Sequence, residues 1–229
     1  CFPKNLRFSY LMGDVAWDLP TPTFAKTRPI TQGKSNTVIM PLNKGRHFRF
    51  INDSRCFSEK RDMIVFRNVV RRQPPRRLFL EKYIDHPMGD AGQINRDTDN
   101  PRFVKPYIPM EDQLDFKFIA TIEGNDVATN LKWVMSSNSI AVMPRPRIES
   151  WFMEGKLIPD YHYIEIKPDY SDLIEKLEFY IANPDKAEAI IRHAHEYVDR
   201  FRDRDRELLI ARLTAGRYFR LTGQLPLHP

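Results

Sequence analysis

The stretch FIATIEGNDVATNLKWVMSSNSIAVM, residues 118–143, decides how the chain is read. An apolar run headed by Lys117 predicts a strand over 117–122, and amphipathic spacing predicts a helix over 126–137. A second apolar run predicts a strand over 138–143. Strands without polar alternation, joined through a helix, are those of a parallel sheet covered on both faces. The charged turn Glu123-Gly124-Asn125-Asp126 then falls where a strand's carboxyl end meets a helix N-terminus. Ligands of open parallel sheets sit at that point, because unpaired N–H groups and a partial positive charge face the crevice. A phosphate would be held by those amides, and repelled by Glu123 and Asp126 unless Lys132, Arg145 or Arg147 neutralises them. The alternative is that Asn125 or Asp126 caps the helix.

The same rhythm extends outward. Downstream we expect a helix near 111–116, a short helix over 149–154, a strand over 161–166 and a helix over 171–182. Asn183 is placed to cap a helix with Pro184 and Asp185 in its first turn and Ala187, Ile190, Ile191, Ala194, Val198 and Phe201 on one stripe. Upstream, DMIVFR (62–67), RRLFLEKYIDH (76–86) and MGDAGQI (88–94) read as strand, helix and strand. The first sixty residues are irregular, with strand-like LRFSYLM and NTVIMPL between Pro- and Gly-bearing loops. Residues 93–109 carry three prolines and no periodicity, so a soft boundary there divides the chain into 1–105 and 106–229.

With 229 residues and 41% hydrophobic content, the chain suffices for a packed core. Its apolar runs fall far short of the roughly 20 residues a spanning helix needs. Cys1 and Cys56 form no CxxC or Cys/His cluster, which excludes a disulfide framework or zinc site and points to a reducing cytoplasm. Opening on Cys1 inside an aromatic-apolar phrase, the chain leads us to expect a longer native N-terminus. The net charge of +6 suits an anionic partner: nucleic acid, an anionic lipid surface or a phosphorylated small molecule. Much of the excess sits in RNVVRRQPPRR (67–77), whereas the Arg/Asp alternation over 202–207 reads as a solvated helix face. The tail after Gly223 ends in PLHP, which cannot continue a helix.

EGNDVATNLKWVMSSNSIAVMPRPRIESWFMEGKLIPDYHYIEI resembles the C-terminal part of glycosyltransferase family 90. FSYLMGDV, KTRPI (26–30), PLNKGRHFRF (41–50) and IVFRNVVRRQPPRR (64–77) extend the likeness in the expected order, closest to the bacterial lipopolysaccharide and capsule branch. The resemblance implies an α/β, GT-B-like fold: two Rossmann-like halves with mostly parallel sheets facing a cleft, the N-terminal half here incomplete. A UDP-sugar would bind mainly to 106–229 and the acceptor to 1–105. It also implies inverting transfer and no metal or other cofactor.

An in-line displacement needs one carboxylate to take the acceptor's proton and cations to steady the leaving UDP. Asp14 matches the place of the catalytic base in the animal relatives; without the resemblance it reads as a turn cap after Gly13. Arg67 belongs to the family's Phe-Arg-Gly phrase, here Phe66-Arg67-Asn68, a departure at Asn68. Among Arg71, Arg72, Arg76 and Arg77, one or two would grip the diphosphate, and Arg72 is our choice. Gly124, Asn125 and Asp126 would edge the nucleotide site. Lys132 stands where the family has a lysine, and Asn130 where the animal branch is basic. Glu149 would meet sugar or ribose hydroxyls, or else start a helix. His162 reads as a core histidine, while the role of His47 is not fixed by spacing. Asp97-Thr98-Asp99 is a DxD in a proline-flanked loop, and we set its metal-binding reading aside.

The expected partners are a UDP-sugar of glucose, galactose or xylose type and a glycan or lipid-linked saccharide of bacterial lipopolysaccharide or capsule synthesis, with no nucleic acid. The expected location is cytoplasmic, peripheral on the anionic inner face of the inner membrane. Two other readings compete: a nucleic-acid-binding module using 67–77, and a UDP-sugar-binding relative without turnover.

Overall fold

The computed structural model describes residues 2–31 and 33–226, so Cys1 and the last three residues of PLHP lie outside it. The strands in chain order are β1 (Tyr10–Leu11), β2 (Thr23–Ala25), β3 (Thr27–Pro29), β4 (Thr37–Ile39), β5 (Arg61–Asn68), β6 (Gly89–Gln93), β7 (Phe116–Ala120), β8 (Ile140–Met143), β9 (Ile148–Ser150) and β10 (Ile164–Glu165). They build two parallel sheets. The smaller has order β1-β2-β4 and the larger β10-β8-β7-β5-β6. An antiparallel ribbon of β3 and β9 joins them. The helices are α1 (Lys44–His47), α2 (Pro74–Tyr83), α3 (Met110–Gln113), α4 (Leu131–Val134), α5 (Leu173–Ala182), α6 (Pro184–Asp199) and α7 (Arg204–Leu221).

Alternate residues of the central strands divide between two cores. Ile64, Phe66, Phe118, Ala120, Ile140 and Val142 pack with Phe79, Leu80, Tyr170, Leu173 and Leu177. Val65, Ile119, Ala141 and Met143 pack on the other face with Leu131, Val134, Trp151, Phe152, Tyr197 and Val198. This is the two-residue period of a strand, here apolar on both phases because both faces are covered. Full burial of each large side chain stabilises by about 1.5–3 kcal/mol, which fixes the register of the larger sheet.

The α/β class and the parallel sheet are as expected; several elements differ. The helix expected over 126–137 contracts to α4, because Asp126 is drawn into bonds with Lys26 and Thr27. At its end the hydroxyls of Ser136 and Ser137 turn back to the carbonyls of Trp133 and Val134, competing with continued helix. The helix expected over 149–154 is instead β9, followed by a single 3-10 turn at Glu154–Lys156, because Arg28 and Glu149 pair across the ribbon. The strand expected over 161–166 shortens to β10. α2 begins earlier than expected, with Pro74 and Pro75 in its first turn, where no intrahelical N–H is needed. Arg204–Leu221 forms a helix of which the sequence reading noted only the charged start; Asp203 caps it by accepting from the amides of Asp205 and Arg206. The connection over 93–109 links β6 and β7 of one sheet, so the larger sheet draws strands from both sides of residue 105.

Candidate functional site

The two parallel sheets meet through loops at their carboxyl ends. Asp14 follows β1, Lys26 follows β2, and the turn 123–126 follows β7. Each polar side chain of that turn has its own partners. Glu123 accepts from the amides of Arg147 (2.9 Å) and Ile148 (3.1 Å) and from Arg147 Nε at 3.2 Å. Asn125 accepts from Gln73 at 2.9 Å and donates to Asp14 Oδ2 at 3.2 Å. Asp126 Oδ2 lies 2.7 Å from Lys26 Nζ and accepts from Thr27 Oγ1 at 3.3 Å. The turn is thus a junction, tying the N-terminal segment and α2 to the end of the central strand. Both acids that would repel a phosphate are neutralised, Glu123 by Arg147 and Asp126 by Lys26 rather than Lys132.

Gly124 has a steric role. A Cβ there would lie 2.8 Å from the Arg76 guanidinium, which three bonds to the carbonyls of Ile122 and Val69 hold in place. Burial and the Arg46 charge push the Arg76 pKa down to about 10, so it remains a cation at neutral pH. Gly124→Ala is therefore expected to lower stability by about 1–3 kcal/mol through overpacking, read as a lower urea midpoint at unchanged slope. A wild-type midpoint would show that Arg76 can move aside.

Lys26 Nζ also reaches Asp14 Oδ1 at 2.7 Å. Burial works to raise the Asp14 pKa, but the Lys26 ammonium and the bond from Asn125 outweigh it and hold the carboxyl below its ordinary value. Asp126 goes the other way: burial lifts it above the ordinary value, Lys26 offsets only part of that, and the Asp14 charge adds to the rise. The Lys26 pKa is raised, its two carboxylates outweighing burial. The site therefore holds an ionised, partly exposed carboxylate, 36% accessible, beside a buried lysine and a second acid.

Two cavities flank this junction. One of about 570 Å³ is lined by Arg71, Arg72, Gln73, Arg77, Gln93 and Asn125 among others. In its wall Asp97 pairs with Arg71 at 3.0 Å and Asp99 with Arg77 at 2.8 Å, so both carboxylates of the DxD are held by arginines. The other, about 140 Å³, lies at the carboxyl ends of β7 and β8 between Pro75, Pro144, Pro168 and Tyr170. Thr121 also lines it, and its buried hydroxyl makes no hydrogen bond among the described residues.

The remaining expected site residues divide. Arg72 is exposed, lines the larger cavity with Asn125 and makes no ion pair among the described residues. Arg67 does not face that cavity: its guanidinium pairs with Asp90 at 2.6 Å and donates to the carbonyls of Phe66, Asp90 and Pro106. Lys132 is fully buried against Glu154 at 2.6 Å, and Glu154 in turn accepts from the Ser150 amide and hydroxyl. Asn130 donates to the Ala120 carbonyl, closing the end of β7. Glu149 takes a two-pronged bond from Arg28 at 2.7 and 2.9 Å. His162 accepts from the Ile158 amide, a core histidine as expected. His47 is buried, and neither ring nitrogen has a partner among the described residues. Burial and the charges of Lys132, Lys26 and Arg46 bring its pKa to about 4 and keep it neutral.

Sequence reasoning missed Lys26, Thr27 and Arg28. They lie in the KTRPI phrase, and nothing local marks a lysine that will be buried between acids over a hundred residues apart.

The model of glycosyl transferase family 90 matches residues 8–206. "O-glucosyltransferase LpsA" of Dichelobacter nodosus is 39% identical over 220 residues, which cover 96% of this chain and 69% of that protein. "Uncharacterized protein 179R" of Invertebrate iridescent virus 6 is 30% identical over 138 residues, 57% of this chain and 11% of the viral protein. "Uncharacterized protein 035R" of Invertebrate iridescent virus 3 is 28% identical over 117 residues, 50% of this chain and 11% of its own length.

Proposed function

This chain belongs to glycosyl transferase family 90, and from that membership we propose that it transfers a sugar, by inversion, from a UDP-sugar to a hydroxyl of a bacterial surface glycan. A sugar donor and a glycan acceptor follow from the family; the finer identities are our reading. The 39% identity to an O-glucosyltransferase favours glucose over galactose or xylose, and the name LpsA favours lipopolysaccharide over capsule.

The observation that carries the mechanism is the partly exposed Asp14 carboxylate where the carboxyl ends of both sheets meet. In this reading Asp14 takes the acceptor hydroxyl's proton as the oxygen attacks the sugar's anomeric carbon and the bond to UDP breaks. Arg72 and the exposed Arg46 supply charge for the departing diphosphate, without a metal ion. The proline-walled cavity suits a flat uracil ring, with the unpartnered Thr121 hydroxyl as a base contact. A GT-B-like arrangement, with the acceptor on the side of the smaller sheet, completes the proposal.

The nucleic-acid alternative is disfavoured by how 67–77 is used. Arg67, Arg71 and Arg77 are paired with aspartates and Arg76 with carbonyls, which leaves no continuous strip of free cations. No helix among the described residues is long and apolar enough to cross a membrane. Peripheral contact with an anionic inner membrane face is supported by α7, which exposes Leu209, Leu213 and Leu221 beside Arg206 and Arg217.

The test is transfer from labelled UDP-glucose to a truncated lipopolysaccharide core in EDTA, with the product's anomeric configuration read by NMR. Inversion is expected; retention, or dependence on added manganese, would contradict the mechanism. Arg72→Ala is expected to weaken UDP binding about tenfold, from loss of one charge-assisted contact of about 1.5 kcal/mol, with the melting temperature unchanged. Calorimetry and thermal unfolding of the same sample check both parts.

A further inference from the structure

We propose that Lys26 and Asp126 are positioning residues that tune the Asp14 carboxylate, Lys26 by pairing with it and Asp126 by sharing that same ammonium. The inference rests on the reading of Asp14 as the base. Three loops supply the cluster: Asp14 after β1, Lys26 after β2 and Asp126 in the turn after β7. Lys26 Nζ stands 2.7 Å from an oxygen of each acid, and its side chain is only 6% exposed. The groups facing Asp14 are Lys26, Asn125 and Asp126; the Arg76 guanidinium adds its field to both acids, and Arg46 and His47 lie beyond it.

The arrangement answers a problem a lone ion pair would create. As Asp14 takes the acceptor's proton, its charge disappears while the new C–O bond forms and the electron pair of the broken bond leaves with UDP. With Asp14 as its sole partner, Lys26 would then be a buried, unpaired cation, which is strongly unfavourable and would make Asp14 a poor base. Asp126 stays ionised and keeps Lys26 neutralised through the step. The cluster passes from one net negative charge to none, and no charge is stranded.

The pH profiles of kcat and of kcat/KM for UDP-sugar test this. Asp126→Asn gives Lys26 wholly to Asp14, so the acid limb should move to lower pH while the plateau kcat falls about tenfold, the scale of a mis-tuned base. Lys26→Met leaves two acids facing each other, so the acid limb should move to higher pH by about one unit or more. Asp126→Glu should restore most of the plateau, and the donor KM should stay within a few fold in all three. Shifts in the same direction, or lost activity with unshifted profiles, would show a merely structural cluster and overturn the proposal. Asp14→Asn run alongside separates the two levels: full activity there sinks the base itself. Carboxyl carbon NMR of the unmutated protein gives an answer that does not depend on any variant folding. Asp14 and Asp126 should titrate on opposite sides of the ordinary aspartate value, and ordinary titration of both would overturn the sharing.

Discussion

Replacing Asp14 with asparagine is expected to lower turnover by about a hundredfold or more while UDP-sugar affinity stays within a few fold, the usual result of losing a general base. The substitution keeps the side chain's shape and leaves an amide oxygen that Lys26 can still bond. Lys26 also retains Asp126 at 2.7 Å, so the junction between the sheets is not left with an isolated cation. What the proposed mechanism loses is the group that removes the acceptor's proton, which acts only as the transition state forms. Steady-state rates with saturating acceptor, beside calorimetric affinities, read the two quantities separately. Equal rates for variant and parent would remove Asp14 from the mechanism.

Lys132→Ala is expected to act on the fold instead of the donor. Its ammonium is buried against Glu154, and breaking such a pair strands the remaining charge, at about 3–5 kcal/mol. Urea unfolding should show that loss as a lower midpoint. Adding Glu154→Gln should recover part of it, since the unpaired carboxylate then disappears while the side chain still accepts from Ser150. A stable Lys132→Ala protein with sharply weaker UDP binding would show that the lysine leaves Glu154 to reach the diphosphate.

The settings of Lys132 and Lys26 explain what sequence could reveal. Both lysines are buried and paired, Lys132 with Glu154 alone and Lys26 with Asp14 and Asp126, and nothing local tells which will bridge two distant acids. The apolar runs of β5, β7 and β8 were legible because burial on both faces removes the polar alternation that would otherwise blur them. The place of the turn after β7 was legible for the same reason, as a strand end in a parallel sheet. Its occupants were not: Glu123, Asn125 and Asp126 answer to Arg147, Asp14 and Lys26, partners 24, 111 and 100 positions away. The same tertiary demand shortened α4 and turned 148–150 into a strand. Arg67 shows the converse, a residue picked for its phrase but held by Asp90 of the neighbouring strand.

The central claim is that the turn after β7 edges a sugar-nucleotide site closed from the other side by Asp14. Calorimetric titration of the protein with UDP-glucose in EDTA, repeated with Arg72→Ala, tests it most directly. The account predicts micromolar binding that manganese does not improve and that the substitution weakens about tenfold. Undetectable binding, or binding that Arg72→Ala leaves unchanged, would contradict it.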